Sequence, residues 1–206
     1  MSGNTTDKLN FDLQYLTTGS FIAGMDEVGR GPLAGPVVCA IVIMPNDFDK
    51  IIDGIDDSKK ISEKKRTLIA EKIKQTAIEY AICEVSPQRI DEVNILNATI
   101  ECMQECVKSL KTKIDILLVD AVKADFGVPT RSIIKGDAQS YAIGCASIIA
   151  KVYRDNMMVE YAKTYPEYGF EKHKGYGTKQ HIEALKAHGA TPIHRKSFIK
   201  NFVKVE

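Results

Sequence analysis

The chain has 206 residues, with 28 Lys plus Arg against 27 Asp plus Glu and a formal net charge of +1. Its 44% hydrophobic and 27% charged content excludes collagen-like, mucin-like and wholly disordered chains, and the length suffices for one domain with a real core. No apolar run reaches the roughly 18 residues needed to span a bilayer, and the N-terminus lacks the basic-then-apolar order of a secretory leader, so a cytoplasmic location and no membrane partner are expected.

Residues 1–20 read as an N-terminal segment. Residues 21–26 and the β-branched run 37–44 predict two strands joined by a Gly- and Pro-rich turn, forming a hairpin. The polar stretch 46–60 reads as loop. Ser62 then caps a helix whose apolar face is Leu68, Ile69 and Ile73. Residues 77–85 alternate as a third strand, and Pro87 opens a short helical turn. From Asn94 to Lys111 the residues Leu96, Ile100, Met103, Val107 and Leu110 recur at intervals of three and four, which predicts a helix. ILLVD (116–120) is a short continuous apolar run, as in a central buried strand. Residues 131–135 predict a fifth strand. Asp137 then caps a long helix running from Ala138 to about Thr164. Thr178 caps a helix that stops at Gly189, and Thr191-Pro192 opens another. This order predicts a single α/β domain over 21–206, with a mixed sheet flanked by helices and a basic, helical C-terminal part from about 171.

The near-neutral charge hides an asymmetry. Residues 171–206 hold eight Lys or Arg against Glu171, Glu183 and Glu206, together with all four histidines, so a basic face is expected there, against the plainer reading of a solvated surface. The five cysteines are scattered, with no CxxC pair. Cys102 and Cys106, four apart on a predicted helix, read as packed small apolar residues rather than a soft-metal corner.

Carboxylates at strand ends are the candidates for chemistry, although acids at such positions also serve as turn formers and N-caps. Asp26 and Glu27 close the first strand and Asp120 closes ILLVD, so they should project into a crevice at the sheet edge. Asp155 lies inside a helical pattern, where pairing with Lys151 four residues earlier is the plain reading. Several converging acids repel one another, and the usual reason to gather them is a hard divalent cation such as Mg²⁺. Two such ions can activate water and stabilise the leaving oxygen in phosphodiester hydrolysis. Gly29-Arg30-Gly31 follows the acids directly and lets backbone approach a ligand closely, but it lacks the Walker lysine and the dinucleotide spacing.

Seven segments in order, G-M-D-E-V-G-R-G-P-L-A-G-P-V-V (24–38), D-S-K-K-I-S-E-K-K-R (57–66), L-L-V-D (117–120), K-G-D-A (135–138), A-S-I-I-A-K-V-Y-R-D (146–155), H-K-G-Y-G-T (173–178) and P-I-H-R-K-S-F (192–198), closely resemble the ribonuclease HII family. The resemblance implies a ribonuclease H-like fold. It also implies an endonuclease that hydrolyses the RNA strand of RNA/DNA hybrids and single ribonucleotides embedded in duplex DNA, leaving 5′-phosphate and 3′-hydroxyl ends. By motif position, Asp26, Glu27, Asp120 and Asp155 match the family's metal-binding catalytic carboxylates, which would hold two Mg²⁺ or Mn²⁺ ions and turn Asp155 toward the crevice rather than Lys151. Gly29, Arg30 and Gly31 match the motif that reads the 2′-hydroxyl, the group that tells RNA from DNA. Tyr176 matches the tyrosine that stacks on the adjacent deoxyribose. Lys59 or Lys60, Ser197 and the basic C-terminal stretch look like phosphate contacts, which position without specifying.

Val28 stands where the family usually has Ala, and Gly144-Cys145 replaces a typical Ala-Ala; neither change touches the acids. The related ribonuclease HIII family carries an extra N-terminal binding domain, which about 20 residues cannot supply, so ribonuclease HII is favoured. A monomer is expected. The competing class is a catalytically silent hybrid-binding module of the same fold; retention of all four acids argues against it.

Overall fold

The computed structural model describes residues 5–16, 21–58 and 60–204. Strand β2 (Val37–Ile43) has all seven of its residues buried. Alternate side chains of a strand point to opposite faces, and those of β2 feed two separate cores. Val38, Ala40 and Val42 pack with Ile69, Ile73, Ile148 and Ile149. Cys39, Ile41 and Ile43 pack with Cys102, Met103, Cys106 and Val119. A strand covered by helices on both faces must be apolar throughout, which is why VVCAIVI shows no alternation.

β1 (Ile22–Val28) runs antiparallel to β2 and parallel to β4 (Ile116–Asp120). β3 (Glu79–Val85) lies antiparallel to the other side of β2, and β5 (Thr130–Ile133) parallel to β4, giving the order β3-β2-β1-β4-β5. On one face lie α2 (Glu63–Thr76) and the long α5 (Tyr141–Thr164); on the other lies α3 (Pro87–Ser109). α1 (Thr5–Leu13) docks beside the start of α5 through Leu9, which is 2% exposed.

Several local expectations shift by a residue or a partner. Leu68 is 60% exposed, because the face of α2 that meets α5 runs through Arg66, Ile69, Ala70 and Ile73. In α3 the buried stripe is Ala98, Thr99, Cys102, Met103 and Cys106 rather than one including Leu96, which is 51% exposed. The cysteines are therefore packed against the sheet, as read. Pro87 opens a turn that runs into the predicted helix across Asn94, whose φ of 69° breaks the helix while its Oδ1 accepts from the amides of Leu96 and Asn97. Asp137 is not the cap of the long helix. It sits within a single turn, α4 (Gly136–Gln139), and Ser140 caps α5 by accepting from the Ile143 amide.

The C-terminal part comprises α6 (Phe170–His173), α7 (Lys179–His188) and α8 (Lys196–Ile199). Thr178 caps α7 as expected, accepting from His181. Thr191-Pro192 opens a turn instead of a helix, since His194 there bridges to Ala34 as a short β contact. Three of the four histidines are buried, which corrects the reading of them as part of a basic face. His173 stacks on His181 at 4.6 Å, and His181 Nε2 lies 3.0 Å from His194 Nε2, amid Tyr168 and Phe170. Burial, then the neighbouring His181, pushes His194 down to about 4, and burial lowers His181 as well. They are neutral packing groups near neutral pH.

Candidate active site

β1 and β4 end side by side. The parallel register pairs Met25 with Val119, so the next residues, Asp26 and Asp120, emerge as neighbours at the carboxyl edge of the sheet, where open α/β sheets place their ligand crevice. They line a cavity of about 500 Å³ together with Glu27, Ser58, Asp137, Ser147 and Tyr176. Burial, then the charges of Glu27 and Asp120, raises Asp26 well above the usual carboxylate range, against a hydrogen bond from Ser147. Glu27 is also raised, by burial, although Arg30 Nη1 approaches its Oε1 at 3.4 Å. Glu27 Oε2 is buried with no hydrogen-bond partner among the described residues. Three acids from two adjacent strands thus line one cavity, their carboxyls partly withdrawn from solvent, which is the arrangement that favours protonation or a cation.

Asp155 departs from the expectation that it turns away from Lys151. Its Oδ1 accepts from Lys151 Nζ at 2.7 Å, and its Oδ2 lies 3.5 Å from Arg66 Nη1. The i, i+4 spacing on α5 makes the first contact local; the second needs α2 packed against α5. Lys151 itself lines the cavity. Asp137, expected to serve only as a cap, lines it too.

A second cavity of about 170 Å³ adjoins the first and shares Glu27, Val28 and Tyr176 with it. Its other walls are Gly29, Arg30 and Gly31. Gly29 has φ +92°, and a Cβ there would fall 2.2 Å from Arg154 Nε, so only glycine fits. The Tyr176 ring stands over Gly31, its Cε1 3.8 Å from where a Cβ would be. Lys60 is exposed, and Lys59 lies outside the described residues. Ser197 is committed elsewhere: its hydroxyl and amide both donate to the Asp91 carboxylate. A phosphate brought to that hydroxyl would meet a like charge.

Two arginines with no local sequence signal to single them out hold the hairpin between β1 and β2. Arg195 donates to the carbonyls of Gly29, Arg30 and Gly35, and Arg154 to those of Ala34, Pro36 and Lys174. Both are 0% exposed. Burial, then the Arg154 charge, pushes Arg195 down to about 9, so it remains a cation near neutral pH. Planar guanidinium forks suit this task because each can bridge several carbonyls at once.

Among the described residues no three His, Cys, Asp or Glu groups already form a metal cage. The donor set nevertheless fits a hard divalent ion. Mg²⁺ is commonly held by one or two carboxylates, with waters and substrate phosphates completing its shell, and the unpartnered Glu27 Oε2 beside Asp26 supplies such oxygens.

A five-stranded mixed sheet in this order, with helices on both faces and carboxylates meeting at the ends of its adjacent parallel strands, defines a ribonuclease H-like α/β protein. The chain resembles the ribonuclease H2 of Pyrococcus horikoshii OT3 with a TM-score of 0.73 and 27% identity over 86% of this chain and 93% of that one. It also resembles the ribonuclease HII of Archaeoglobus fulgidus, from a structure of its complex with PCNA, with a TM-score of 0.73 and 27% identity over 90% and 98%.

The ribonuclease HII family model matches residues 23–201, and the chain belongs to that family. It is 56% identical to the ribonuclease HII of Bacillus cytotoxicus over 187 residues, 90% of this chain and 71% of that protein. To the enzyme of Endomicrobium trichonymphae it is 53% identical over 92% and 90%. The protein is accordingly a ribonuclease H, a hydrolase. A ribonuclease HIII solved in complex with Mn²⁺ shares the fold, with a TM-score of 0.64 and 14% identity over 87% of this chain and 67% of that one.

Proposed function

We propose that this protein cuts the RNA strand of RNA/DNA hybrids, and duplex DNA at single embedded ribonucleotides, by phosphodiester hydrolysis with two divalent ions, Mg²⁺ or Mn²⁺, leaving 5′-phosphate and 3′-hydroxyl ends. The observation that carries this is the continuity of two cavities of different chemistry across Glu27, Val28 and Tyr176. One is acidic and suited to metal-bound phosphate. The other presents backbone, Arg30 and an aromatic ring, which suits a ribose and its neighbour.

Asp26, Glu27 and Asp120 would hold the ions, joined by Asp155 once Lys151 and Arg66 give up its oxygens. Bound there, the ions would supply an activated water and stabilisation of the departing 3′-oxygen. Residues 29–31, fixed by Arg154 and Arg195, bring backbone groups within reach of a 2′-hydroxyl. The Tyr176 ring, 40% exposed, offers a face to the adjoining deoxyribose. Lys60 and the exposed lysines of the C-terminal part would contact phosphates. We take 21–206 as the catalytic domain, acting as a monomer.

A silent hybrid-binding module is the competing reading, favoured by the two cations already beside Asp155. Cleavage of a duplex carrying one ribonucleotide, with Mg²⁺, Mn²⁺ or EDTA, separates the two. The wild type is expected to cut in metal and not in EDTA, and Asp120→Asn to lose at least about a hundredfold, the upper range for disturbing a metal site. Binding without cutting in either metal would overturn the enzymatic reading.

A further inference from the structure

α1 lies outside the stretch matched by the family model, which begins at residue 23. Yet it buries two charged side chains, Lys8 and Asp12, each 2% exposed. Burying a charge is costly unless it is specifically paired, and docking alone would need only Leu9. Both groups reach for the segment that follows β5. Lys8 Nζ donates to the Asp137 carbonyl at 2.8 Å and lies 3.8 Å from Asp56 Oδ1. Asp12 Oδ2 accepts from the Ala142 amide at 2.8 Å, at the start of α5.

What these contacts hold is the wall of the acid cavity. The Gly136 amide, one residue before the carbonyl that Lys8 grips, donates to Asp120 Oδ1 at 2.6 Å. The fit there is close, since a Cβ on Gly136 would lie 3.3 Å from that same oxygen and 2.6 Å from Ile143 Cδ1. Asp137 lines the cavity, and Asp56 precedes Ser58, which lines it from the other side. One ammonium therefore contacts both the 136–137 turn, whose Gly136 amide bonds Asp120, and the loop that carries Ser58.

We propose that Lys8 is a positioning residue for the metal-binding carboxylates: through the 136–137 backbone it fixes the orientation of Asp120. This rests on the metal reading of the cavity. Charge alone would act in the opposite sense, because removing a cation near an acidic cluster tightens divalent-ion binding. A loss of affinity on removing Lys8 is thus a signature of positioning, and a role confined to stability would not produce it.

The test is Mn²⁺ titration calorimetry on the full chain, at a temperature where circular dichroism in EDTA reports each variant folded. Wild type, Lys8→Met, Lys8→Arg and Asp120→Asn are compared. Lys8→Met keeps the buried stem and Leu9 docking but loses the donor, and should bind Mn²⁺ roughly tenfold more weakly, as for other partners behind metal ligands. Lys8→Arg should restore most of the affinity. Equal or tighter Mn²⁺ binding by Lys8→Met overturns the proposal. Identical isotherms for wild type and Asp120→Asn would instead overturn the metal reading on which it rests. Should Lys8→Met not fold, Lys8→Gln, which keeps a shorter donor, is judged by the same affinity criterion.

Discussion

In the proposed metal site, protons and divalent ions would compete for the oxygens of Asp26 and Glu27. Both carboxyls are raised from ordinary values of 3.8 and 4.5, first by burial. A folded-state pKa above the unfolded one means that the metal-free native state binds more protons between the two values. The contribution of these acids to metal-free stability is therefore greatest below about the unfolded values and is lost as pH rises through the raised ones. Divalent ions reverse this, because they bind the deprotonated form and release protons. In thermal unfolding, the gain on adding Mg²⁺ over EDTA should be larger at mildly alkaline than at mildly acidic pH. A second expectation concerns Gly29. Forcing a Cβ onto φ +92° against the Arg154 side chain should cost about 2 kcal/mol in Gly29→Ala. The unfolding midpoint would fall by several degrees, about 2–4 °C per kcal/mol for a chain of this size.

Within the elements, burial follows which face the neighbour covers more closely than it follows hydrophobicity. α2 offers Leu68 and Ile69 side by side, but α5 meets only the face with Ile69, which is 4% exposed, while Leu68 is 60% exposed. Ile69→Ala should therefore cost about 2–4 kcal/mol, as cavity formation does elsewhere. Leu68→Lys should stay within about 0.5 kcal/mol. Urea unfolding of both variants checks the assignment. In α3 the predicted residues Ile100, Met103, Val107 and Leu110 do pack against the core, and Leu96 is the one that faces solvent. Leu96 outranks Thr99 in hydrophobicity, yet Thr99 faces β2 and is 0% exposed, its hydroxyl satisfied by the Ile95 carbonyl. At Asp137 and Ser140 two residue types that cap helices equally well stood three apart, and the short turn α4 selected the second.

For the whole molecule, the C-terminal part acts as a brace on the hairpin between β1 and β2. Arg195 reaches carbonyls 160 and 166 residues earlier in the chain. In Arg195→Lys the shorter, compact ammonium lacks the spread of Nε, Nη1 and Nη2 by which the guanidinium reaches carbonyls on both sides of the hairpin. Leaving buried acceptors unmet costs about 1–3 kcal/mol each, so a loss on the order of 3 kcal/mol is expected in denaturant unfolding. Cutting at a single ribonucleotide should fall more than the stability loss explains at temperatures where the variant is folded, because residues 29–31 lose their support. The charge count also changes meaning at this scale. Setting the four carboxylates aside from a net charge of +1 leaves +5, but Arg154, Arg195 and the buried histidines lie inside, so the phosphate-facing charge falls to exposed lysines. Duplex affinity should accordingly weaken steeply with added salt, measurable by anisotropy with a labelled hybrid in EDTA.

The amino-acid order alone determined the strands, the buried apolar run of β4, and the placing of Asp120 at the end of β4 and of Asp26 and Glu27 near the end of β1. Those are properties of short runs of residues, in which side-chain alternation and turn chemistry act locally. The grouping of Gly29, Arg30, Gly31 and Tyr176 was legible only through the resemblance to a family, since nothing local links residue 31 to residue 176. The tertiary structure decided the partners of charged groups. Asp155 is held by Lys151, which is local, and by Arg66, which is not. Lys8, Arg154 and Arg195 are buried, although nothing in the sequence marks them out from other cations. A charged side chain enters the interior only where packing delivers acceptors from distant segments, and no periodicity in the sequence records where those acceptors will be.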